Sequence, residues 1–187
     1  DALPISYLAK YTSSGSEIWV KPLTTQSSSS CGGGRVLLTY DKLSNSILLN
    51  GSFCGTINFN NSIITSTNLS REGILAKLDI DGNLIWYQKI IGAGQNFVSG
   101  IGLDSNDNIY VCGINTLPAF IDTIAIAEGT FIAKYNSNGT LQWGRNICGS
   151  GDYAASIGYI AVDLEVGISN FYLVGGMGGD TINVDSV

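Results

Sequence analysis

The chain has no histidine, and this absence excludes more chemistry than any motif in the sequence supports. Histidine is the commonest general base, the usual partner of a catalytic serine or cysteine, and a frequent zinc or copper ligand. Basic residues are also few, with nine Lys and Arg against fifteen Asp and Glu, giving a net charge of −6. We therefore expect no nucleic-acid partner and no binding to an anionic membrane surface, since both require a basic face.

Long hydrophobic runs and charged residues are scarce as well. No apolar stretch approaches the roughly 20 residues of a membrane-spanning helix, so we predict no membrane insertion. Charged residues make up 13% of the chain and hydrophobic residues 44%, a balance that favours a packed core over disorder. Only three prolines but 24 glycines are present, which suits a fold with many tight turns.

What the sequence does contain is a unit repeated three times. Leu8-Ala9-Lys10-Tyr11, Leu75-Ala76-Lys77-Leu78 and Ile132-Ala133-Lys134-Tyr135 start the copies, at offsets of 67 and then 57 residues. Each copy places a glycine five residues after the lysine and a tryptophan nine residues after it. Repetition at this period indicates one supersecondary unit used several times. The structural repeat positions are Lys10, Gly15, Trp19, Lys77, Gly82, Trp86, Lys134, Gly139 and Trp143.

The middle copy predicts four short strands and no helix. Residues 73–79 and 84–90 form a hairpin around a glycine turn, and residues 97–104 and 109–114 add two further strands. The apolar stretch 120–127 precedes the next copy. In the flanking copies the last two strands correspond to 36–41 and 47–51, and to 157–163 and 171–175. Four strands per unit indicate an all-β propeller, sandwich or barrel.

Residues 131–163 (FIAKYNSNGTLQWGRNICGSGDYAASIGYIAVD) and 74–113 resemble the bacterial-type β-propeller repeat often called SBBP. That family's pattern looks like F-x-A-K-x-D-x-x-G-N-x-x-W followed by G-G-S-G-D and I-A-V-D-x-x-G-N-V-Y-V-T-G. The resemblance covers nearly the whole chain. Cys31-Gly32-Gly33-Gly34 replaces the G-S-G-D loop in the first copy, and Leu164–Asn170 lengthens the last turn.

The resemblance implies one β-propeller-repeat domain over residues 1–187, with copies at about 5–71, 72–128 and 129–187. Its strand order makes 36–90 and 97–146 two complete blades, and 5–21 and 157–175 two halves of another. A closed ring takes about four to eight blades. We therefore expect an incomplete ring, either part of a longer chain or completed by an oligomer, and the chain itself to be a processed form or a fragment.

The same blade order brings the four cysteines to one face of the ring. It implies two disulfides, Cys31 to Cys54 and Cys112 to Cys148, although spacing alone leaves three pairings open. An even cysteine count fits an extracellular chain. The alternatives are a zinc site, which the absence of CxxC pairs and histidine disfavours, and four reduced, partly buried thiols.

Two turns contain the oxygen side chains that calcium prefers, 79–83 (DIDGN) and 104–108 (DSNDN). Neither has the twelve-residue spacing of a calcium loop, so we favour plain hairpin turns and predict no cofactor. Asp41, Asp104 and Asp163 recur at the end of the third strand along each copy. We expect them to accept hydrogen bonds from turn amides, not to act as a catalytic pair.

The aromatic residues admit two interpretations. The three tryptophans, together with Tyr7, Tyr11, Tyr87, Tyr110 and Tyr135, could line sugar-binding pockets. The constant spacing favours packing of each tryptophan between adjacent sheets, and it likewise favours a structural role for the three lysines.

We therefore expect a non-enzymatic scaffold that is extracellular or exposed on a cell, an appendage or a virion. It would bind protein partners, self-assemble or mediate adhesion, with the contact surface at Cys31, Cys54, Gly92–Gly94 and Cys148–Asp152. A lectin-like module that binds glycans is the alternative. A hydrolase or lyase with a site in the central channel is the lesser one.

Overall fold

The computed structural model describes residues 7–26, 36–59, 62–67, 70–148, 163–166 and 170–174. These residues form strands and turns, which confirms the all-β prediction. None of them belongs to a helix with the length and apolar character needed to cross a bilayer. The strands are β1 Tyr7–Tyr11, β2 Glu17–Pro22, β3 Thr24–Gln26, β4 Val36–Asp41, β5 Ser46–Phe53, β6 Thr56–Phe59, β7 Ser62–Thr65, β8 Glu72–Leu78, β9 Leu84–Gly92, β10 Asn96–Leu103, β11 Ile109–Asn115, β12 Ala119–Ile121, β13 Ile124–Ile126, β14 Gly129–Tyr135, β15 Leu141–Cys148, β16 Asp163–Val166 and β17 Phe171–Val174.

Two antiparallel four-stranded units form the centre of the molecule. The first complete blade has the order β4-β5-β8-β9 and the second has the order β10-β11-β14-β15. These are the two blades and the strand order that the repeat implied. Tight turns with positive-φ glycines, Gly82 and Gly139, connect the third strand of each blade to the fourth.

Half-blades flank the two complete ones. The N-terminal half-blade, β1 paired with β2, corresponds to the third and fourth strands of a blade. The C-terminal half-blade, β16 paired with β17, corresponds to the first and second strands. Among the described strands, no pairing joins the two half-blades into a closed ring.

A pair of hairpins extends the blades in a way the sequence did not reveal. Hairpin β6-β7 lies between β5 and β8 along the chain but pairs with β3, which follows the N-terminal half-blade. Hairpin β12-β13 lies between β11 and β14 but pairs with β9 of the preceding blade. Each hairpin therefore connects its own blade to the blade before it, and the stretch 120–127 is half of such a connection.

The last copy differs from the prediction at Asp163. The expected strand 157–163 would end there, whereas β16 begins at Asp163 and continues to Val166, with Asp163 opposite Val174. Residues 157–162 and 175 lie outside the described part. The shift arises because Leu164 and Val166, which were assigned to the lengthened turn, belong to β16 and pair with Leu173 and Phe171. Asp163 is thus not equivalent to Asp41 and Asp104.

The core lies between the sheets, and successive residues of a strand face different neighbours. Leu48 and Leu75 pack with the second complete blade, in a cluster that includes Val111 and Phe131. Leu49 and Ile74, one residue away, pack on the opposite side with Leu8 and the hairpin β6-β7. Blades stacked face to face bury both sides of a strand, so these strands are apolar at consecutive positions.

Candidate functional site

Two of the three repeated tryptophans, Trp19 and Trp86, pack on the glycine turn of the next blade. The Trp86 indole Nε1 donates a hydrogen bond to the Ser137 carbonyl oxygen at 3.2 Å. A Cβ placed on Gly139 would lie 2.7 Å from Trp86 Cδ2, so only glycine permits this approach. Gly139 also has a φ of 79°, which residues with a side chain rarely adopt. The sequence spacing of Trp and Gly is therefore the spacing of an inter-blade contact.

The same contact occurs one blade earlier. A Cβ on Gly82 would lie 3.0 Å from Trp19 Cη2. Lys21 adds bonds to this turn, through the Asp81 carbonyl and, at 3.3 Å, Asn83 Oδ1. Gln88, at the position equivalent to Lys21, donates to the Gly139 carbonyl oxygen at 2.8 Å. Both contacts thus combine an indole on a glycine with a polar side chain on the turn backbone.

The repeated lysines also join blades. Lys10 donates to the Ile80 carbonyl oxygen at 3.0 Å, and Lys77 donates to the Ser137 carbonyl oxygen at 3.5 Å. Ile80 and Ser137 occupy the same position in consecutive turns. The lysine position is accordingly structural in these two copies, where it ties the third strand to the turn of the following blade.

Lys77 is also the centre of a buried charge cluster. Its Nζ lies 3.1 Å from Asp41 Oδ2 and 3.6 Å from Asp107 Oδ2, and the Lys77 and Asp41 side chains are 6% and 0% exposed. Burial alone would raise the pKa of Asp41. Hydrogen bonds from Ser44 and Lys77 outweigh burial and hold that pKa well below its usual range. Asp41 therefore stays ionised and accepts the turn amides of Leu43 and Ser44, as predicted.

Asp107 is the member of this cluster whose ionised form is disfavoured by its surroundings. Burial and the neighbouring Asp41 carboxylate raise its pKa, against the attraction of Lys77. Its Oδ1 is buried without a hydrogen-bond partner among the described residues. Ionising Asp107 in the folded state therefore costs free energy, since a raised folded-state pKa stabilises the fold only at pH values where the carboxyl is protonated.

We expect Asp107→Asn to raise the melting temperature at pH 7, because the amide removes a charge that its surroundings disfavour. Asparagine also tolerates the positive φ of 61° at this position. The gain should shrink as the pH falls through the raised folded-state pKa and should be absent below about 4, where the carboxyl is protonated in both the folded and the unfolded state. Thermal unfolding between pH 3 and 7 measures this, and a melting temperature that falls at pH 7 would contradict the account.

The second blade has a more exposed version of the cluster. Lys134 Nζ lies 3.7 Å from Asp104 Oδ2 and 4.9 Å from the centre of the Tyr110 ring. Its interaction with Tyr110, and then with Asp104, raises the pKa of Lys134. Burial opposes the ionisation of Asp104, but hydrogen bonds from Asn108 and Asn106 lower its pKa. Neither group titrates near neutral pH, so this pair is a structural contact and not an acid–base couple.

The turns considered for calcium use their own carboxylates. Asp79 Oδ1 accepts the amides of Asp81 and Asn83 at 2.9 and 2.8 Å. Asp104 Oδ1 accepts those of Asn106 and Asn108, both at 2.9 Å. Asn136 forms the same turn without a charge. Within the described ranges, no three acidic, cysteine or histidine side chains come together as a metal site would need.

The cysteines do not form the second predicted bridge. Cys112 pairs with Ile132 and Ile132 with Arg145, whereas Cys148 pairs with Thr130. Cys112 therefore lies two strands away from Cys148, at ~4.8 Å per strand, and three residues away along the strand direction, at ~3.3 Å per residue. The resulting distance between their Cα atoms exceeds the ~7 Å that a disulfide can span. Cys112 is a buried thiol.

Cys54 is disulfide-bonded and buried. Cys31 and the side chain of Cys148 lie outside the described residues, so the pairing of Cys31 with Cys54 stays a prediction.

The structure describes only part of the expected contact surface, namely Cys54, which is buried, and Gly92–Gly94. A Cβ on Gly92 would lie 2.8 Å from Ala119 Cβ, and one on Gly94 would lie 2.5 Å from Thr116 Oγ1. Because these glycines have no side chain, the segment leading into hairpin β12-β13 can pack directly against the end of β9 and the residues that follow it. Residues 149–152 lie outside the described part.

The hairpins and the residues leading into them are among the parts of the described chain that present exposed apolar side chains. Ile63 on β7, Leu117 before β12 and Phe120 on β12 are 67%, 45% and 56% exposed. We call these three residues the hairpin surface. No motif identified it, because nothing in the sequence shows that these segments pair with the preceding blade.

Each hairpin is held where its second strand ends. Lys89 Nζ lies 2.9 Å from Glu72 Oε2 and donates to the Thr65 carbonyl oxygen at 3.1 Å, while the Thr67 amide donates to Glu72. Asn146, equivalent to Lys89 in the next blade, accepts from the Ala127 amide at 2.8 Å and donates to its carbonyl at 2.9 Å. The equivalent residues Lys89 and Asn146 thus hold the two hairpins by different interactions, an ion pair with a hydrogen bond in one blade and two amide hydrogen bonds in the next.

Comparison with known proteins supports the repeat. The chain is 26% identical over 159 residues to an uncharacterized WD repeat-containing protein of Acanthamoeba polyphaga mimivirus, a match that covers 76% of this chain. The chain spans 11% of the length of that relative. No protein-family model matches the sequence of this chain. WD repeats form propeller blades of four strands, and the complete blades described above have that form. The chain therefore carries a β-propeller type of repeat.

Proposed function

We propose that this chain is a non-enzymatic, surface-exposed or extracellular β-propeller scaffold that binds a protein partner through the hairpin surface. The observation that carries the proposal is the combination of exposure and rigidity in the hairpins. Ile63, Leu117 and Phe120 are exposed. The strand that carries Phe120, β12, is paired on both sides, with β13 and β9, and the strand that carries Ile63, β7, is the edge strand of the sheet β3-β6-β7.

Rigid apolar side chains suit protein recognition. A side chain on a fixed hairpin loses little conformational entropy when a partner covers it, and aromatic anchors dominate binding energy at interfaces. The paired strands and the contacts of Glu72, Lys89 and Asn146 provide that fixation here. Because successive blades carry equivalent hairpins, a partner can contact more than one of them.

We propose a scaffold without catalytic activity because the ionisable groups of the blades make structural contacts. Lys77, Lys10 and Lys134 contact carboxylates or turn carbonyls, and the carboxylates of Asp41 and Asp104 accept turn amides. A reacting group needs an exposed face toward substrate as well as a partner. The sequence also lacks histidine, the usual base.

An extracellular location is supported by the disulfide bond of Cys54. Disulfides persist in oxidising compartments and on cell or virion surfaces, and are rare where glutathione keeps thiols reduced. Structural assembly and adhesion are the functions that such a location favours for a rigid repeat protein.

The tryptophan contacts do not favour the glycan-binding alternative, although Tyr7, Tyr11 and Tyr87, which were also considered for it, are exposed. Stacking on a sugar requires a free aromatic face, whereas Trp19 and Trp86 place theirs against the glycine turns of neighbouring blades. Trp143 packs against Tyr110 and Phe171, with ring centres 6.1 and 6.2 Å away.

The test compares the chain with a double variant of the hairpin surface, Ile63→Ser with Phe120→Ser. Immobilised on beads and exposed to surface extracts of its source, the unaltered chain should retain a defined protein. The double variant should retain it at least about tenfold more weakly, as expected for lost interface anchors. Tyr87→Ser is the matched control, because Tyr87 is an exposed residue of β9 outside the stretch Ile90–Gly92 that pairs with β12. Equal retention by the double variant contradicts the proposal, and release by free sugars would favour the lectin alternative.

A further inference from the structure

The turn between β14 and β15 contains an acceptor sequence for N-linked glycosylation. Asn138-Gly139-Thr140 matches the pattern Asn-x-Ser/Thr, in which the middle residue is not proline. Three further matches start at Asn50, Asn60 and Asn68, and the last two of these asparagines lie outside the described residues. So short a pattern also arises by chance, and the structural surroundings therefore decide which asparagine suits a glycan.

Asn138 has the surroundings that a glycan requires. The residue is exposed, and its backbone amide donates to Asn136 Oδ1 at 3.1 Å. Its side-chain amide makes no hydrogen bond to any described residue. Thr140, the third residue of the pattern, is exposed as well. The nitrogen that would carry the sugar is thus accessible and is not part of a contact that the fold needs.

The turn keeps its shape without the Asn138 side chain. Asn136 Oδ1 accepts two turn amides, and the Gly139 amide donates to the Asn136 carbonyl oxygen at 2.9 Å. Trp86 packs on Gly139 and donates to the Ser137 carbonyl oxygen. A glycan on Asn138 therefore leaves both the turn and the inter-blade contact in place.

The repeat shows that this position stays exposed between neighbouring blades. Asp81 is the equivalent residue in the turn of the first complete blade, and it is exposed although the outer strands on both sides, β2 and β15, are described. Ser14, the equivalent in the N-terminal half-blade, is exposed too. The exposure of Asn138 therefore does not depend on whether another blade lies beside it.

Asn50 has the opposite surroundings. Its side chain is fully buried, and its Nδ2 donates to the Val98 carbonyl oxygen at 3.2 Å, in a contact between the two complete blades. A glycan on this nitrogen would break the contact and would place a large polar group in the core, at a high cost in free energy. The folded chain therefore has no room for a glycan at Asn50.

The turn and the hairpin surface lie at opposite ends of the second complete blade. Hairpin β12-β13 precedes β14 and the turn follows it, so the seven residues of β14 separate the two by about 23 Å. A glycan on Asn138 thus leaves Leu117 and Phe120 accessible to a protein partner.

We propose that Asn138 carries an N-linked oligosaccharide, which would be a bulky, hydrated group on one rim of the blades. The proposal rests on the extracellular location proposed above, because the sugar donor, an oligosaccharide linked to a lipid pyrophosphate, is used on the secretory route. Asn138 Nδ2 forms a bond to the anomeric carbon of the first sugar. The bond from that carbon to the pyrophosphate oxygen breaks, the lipid pyrophosphate leaves, and one Nδ2 proton passes to water.

Peptide mass spectrometry tests the proposal on the whole chain, directed into the secretory pathway of a eukaryotic cell by an added signal peptide. An amidase that removes N-linked glycans converts each occupied asparagine to aspartate and so marks it. We expect the mark at Asn138, and none at Asn50 in secreted protein. An unmarked Asn138, in secreted or in retained chains, overturns the proposal, as does a marked Asn50 in secreted protein.

Three variants separate glycosylation from folding. Thr140→Ala should abolish the glycan at Asn138, whereas Thr140→Ser should retain it because the hydroxyl remains. Asn138→Asp should abolish it and still fold, since the preceding blade has Asp81 at this place. A mark at Asn138 that persists in Thr140→Ala contradicts the proposal. Asn138→Asp should retain the protein partner as the unaltered chain does, whereas the hairpin variant should not, so the two proposals fail separately.

Discussion

Lys77→Met is expected to lower the free energy of unfolding by about 3–5 kcal/mol, because it leaves Asp41 buried without its cation. Asp41 is fully buried, and Lys77 is also the donor to the next blade through Ser137. The lost contacts therefore act within the blade and between blades. Denaturant unfolding monitored by tryptophan fluorescence measures the change.

The repeat offers a matched control for this substitution. Lys134→Met removes the equivalent lysine from the second blade, where the side chain is 23% exposed and 3.7 Å from its carboxylate. Solvent screens that pair, so we expect a loss of about 1 kcal/mol or less. Combining Lys77→Met with Asp41→Asn should recover part of the stability, since the fully buried carboxylate is then removed together with its cation and only Asp107, whose side chain is 17% exposed, loses the lysine. Equal losses for Lys77→Met and Lys134→Met would contradict this account.

Gly139→Ala is expected to cost about 2–5 kcal/mol, and Gly15→Ala only about 1–2 kcal/mol. Both place alanine at positive φ, which costs roughly 1–2 kcal/mol. Only at Gly139 does the new Cβ also press on an indole, at 2.7 Å from Trp86, adding about 1–3 kcal/mol. In thermal unfolding each kcal/mol corresponds to about 2–4 °C for a chain of this size.

Similar costs at the two glycines would show that the inter-blade contact contributes nothing beyond backbone strain.

Sequence spacing located the repeated hairpins because their contacts are local, and it left a propeller, a sandwich and a barrel open. The Lys–Gly–Trp interval marks two strands and the turn between them, and the family resemblance implied the order β10-β11-β14-β15 that the structure has. Asp41 and Asp104 were predicted to accept turn amides from their position alone, and they do so. Such patterns are readable because each depends on residues close together in the chain.

The hairpins were not predictable by the same reasoning. The sequence of β12-β13 gives a short apolar run, but its pairing with β9 joins residues that are far apart in the chain. The hairpin surface with Phe120 follows from that pairing. The predicted disulfide between Cys112 and Cys148 was wrong for a different reason. The blade order placed both cysteines on one face, but the strand register holds them too far apart to form a bond.

The central claim is that the repeated indole stabilises the array by packing on the glycine turn of the next blade. A double-mutant cycle between Trp86 and Gly139 tests it most directly. In the Trp86→Ala background, Gly139→Ala should cost only about 1–2 kcal/mol, the penalty of positive φ alone. If Gly139→Ala costs the same whether or not the indole is present, the two residues do not act on each other and the claim is wrong.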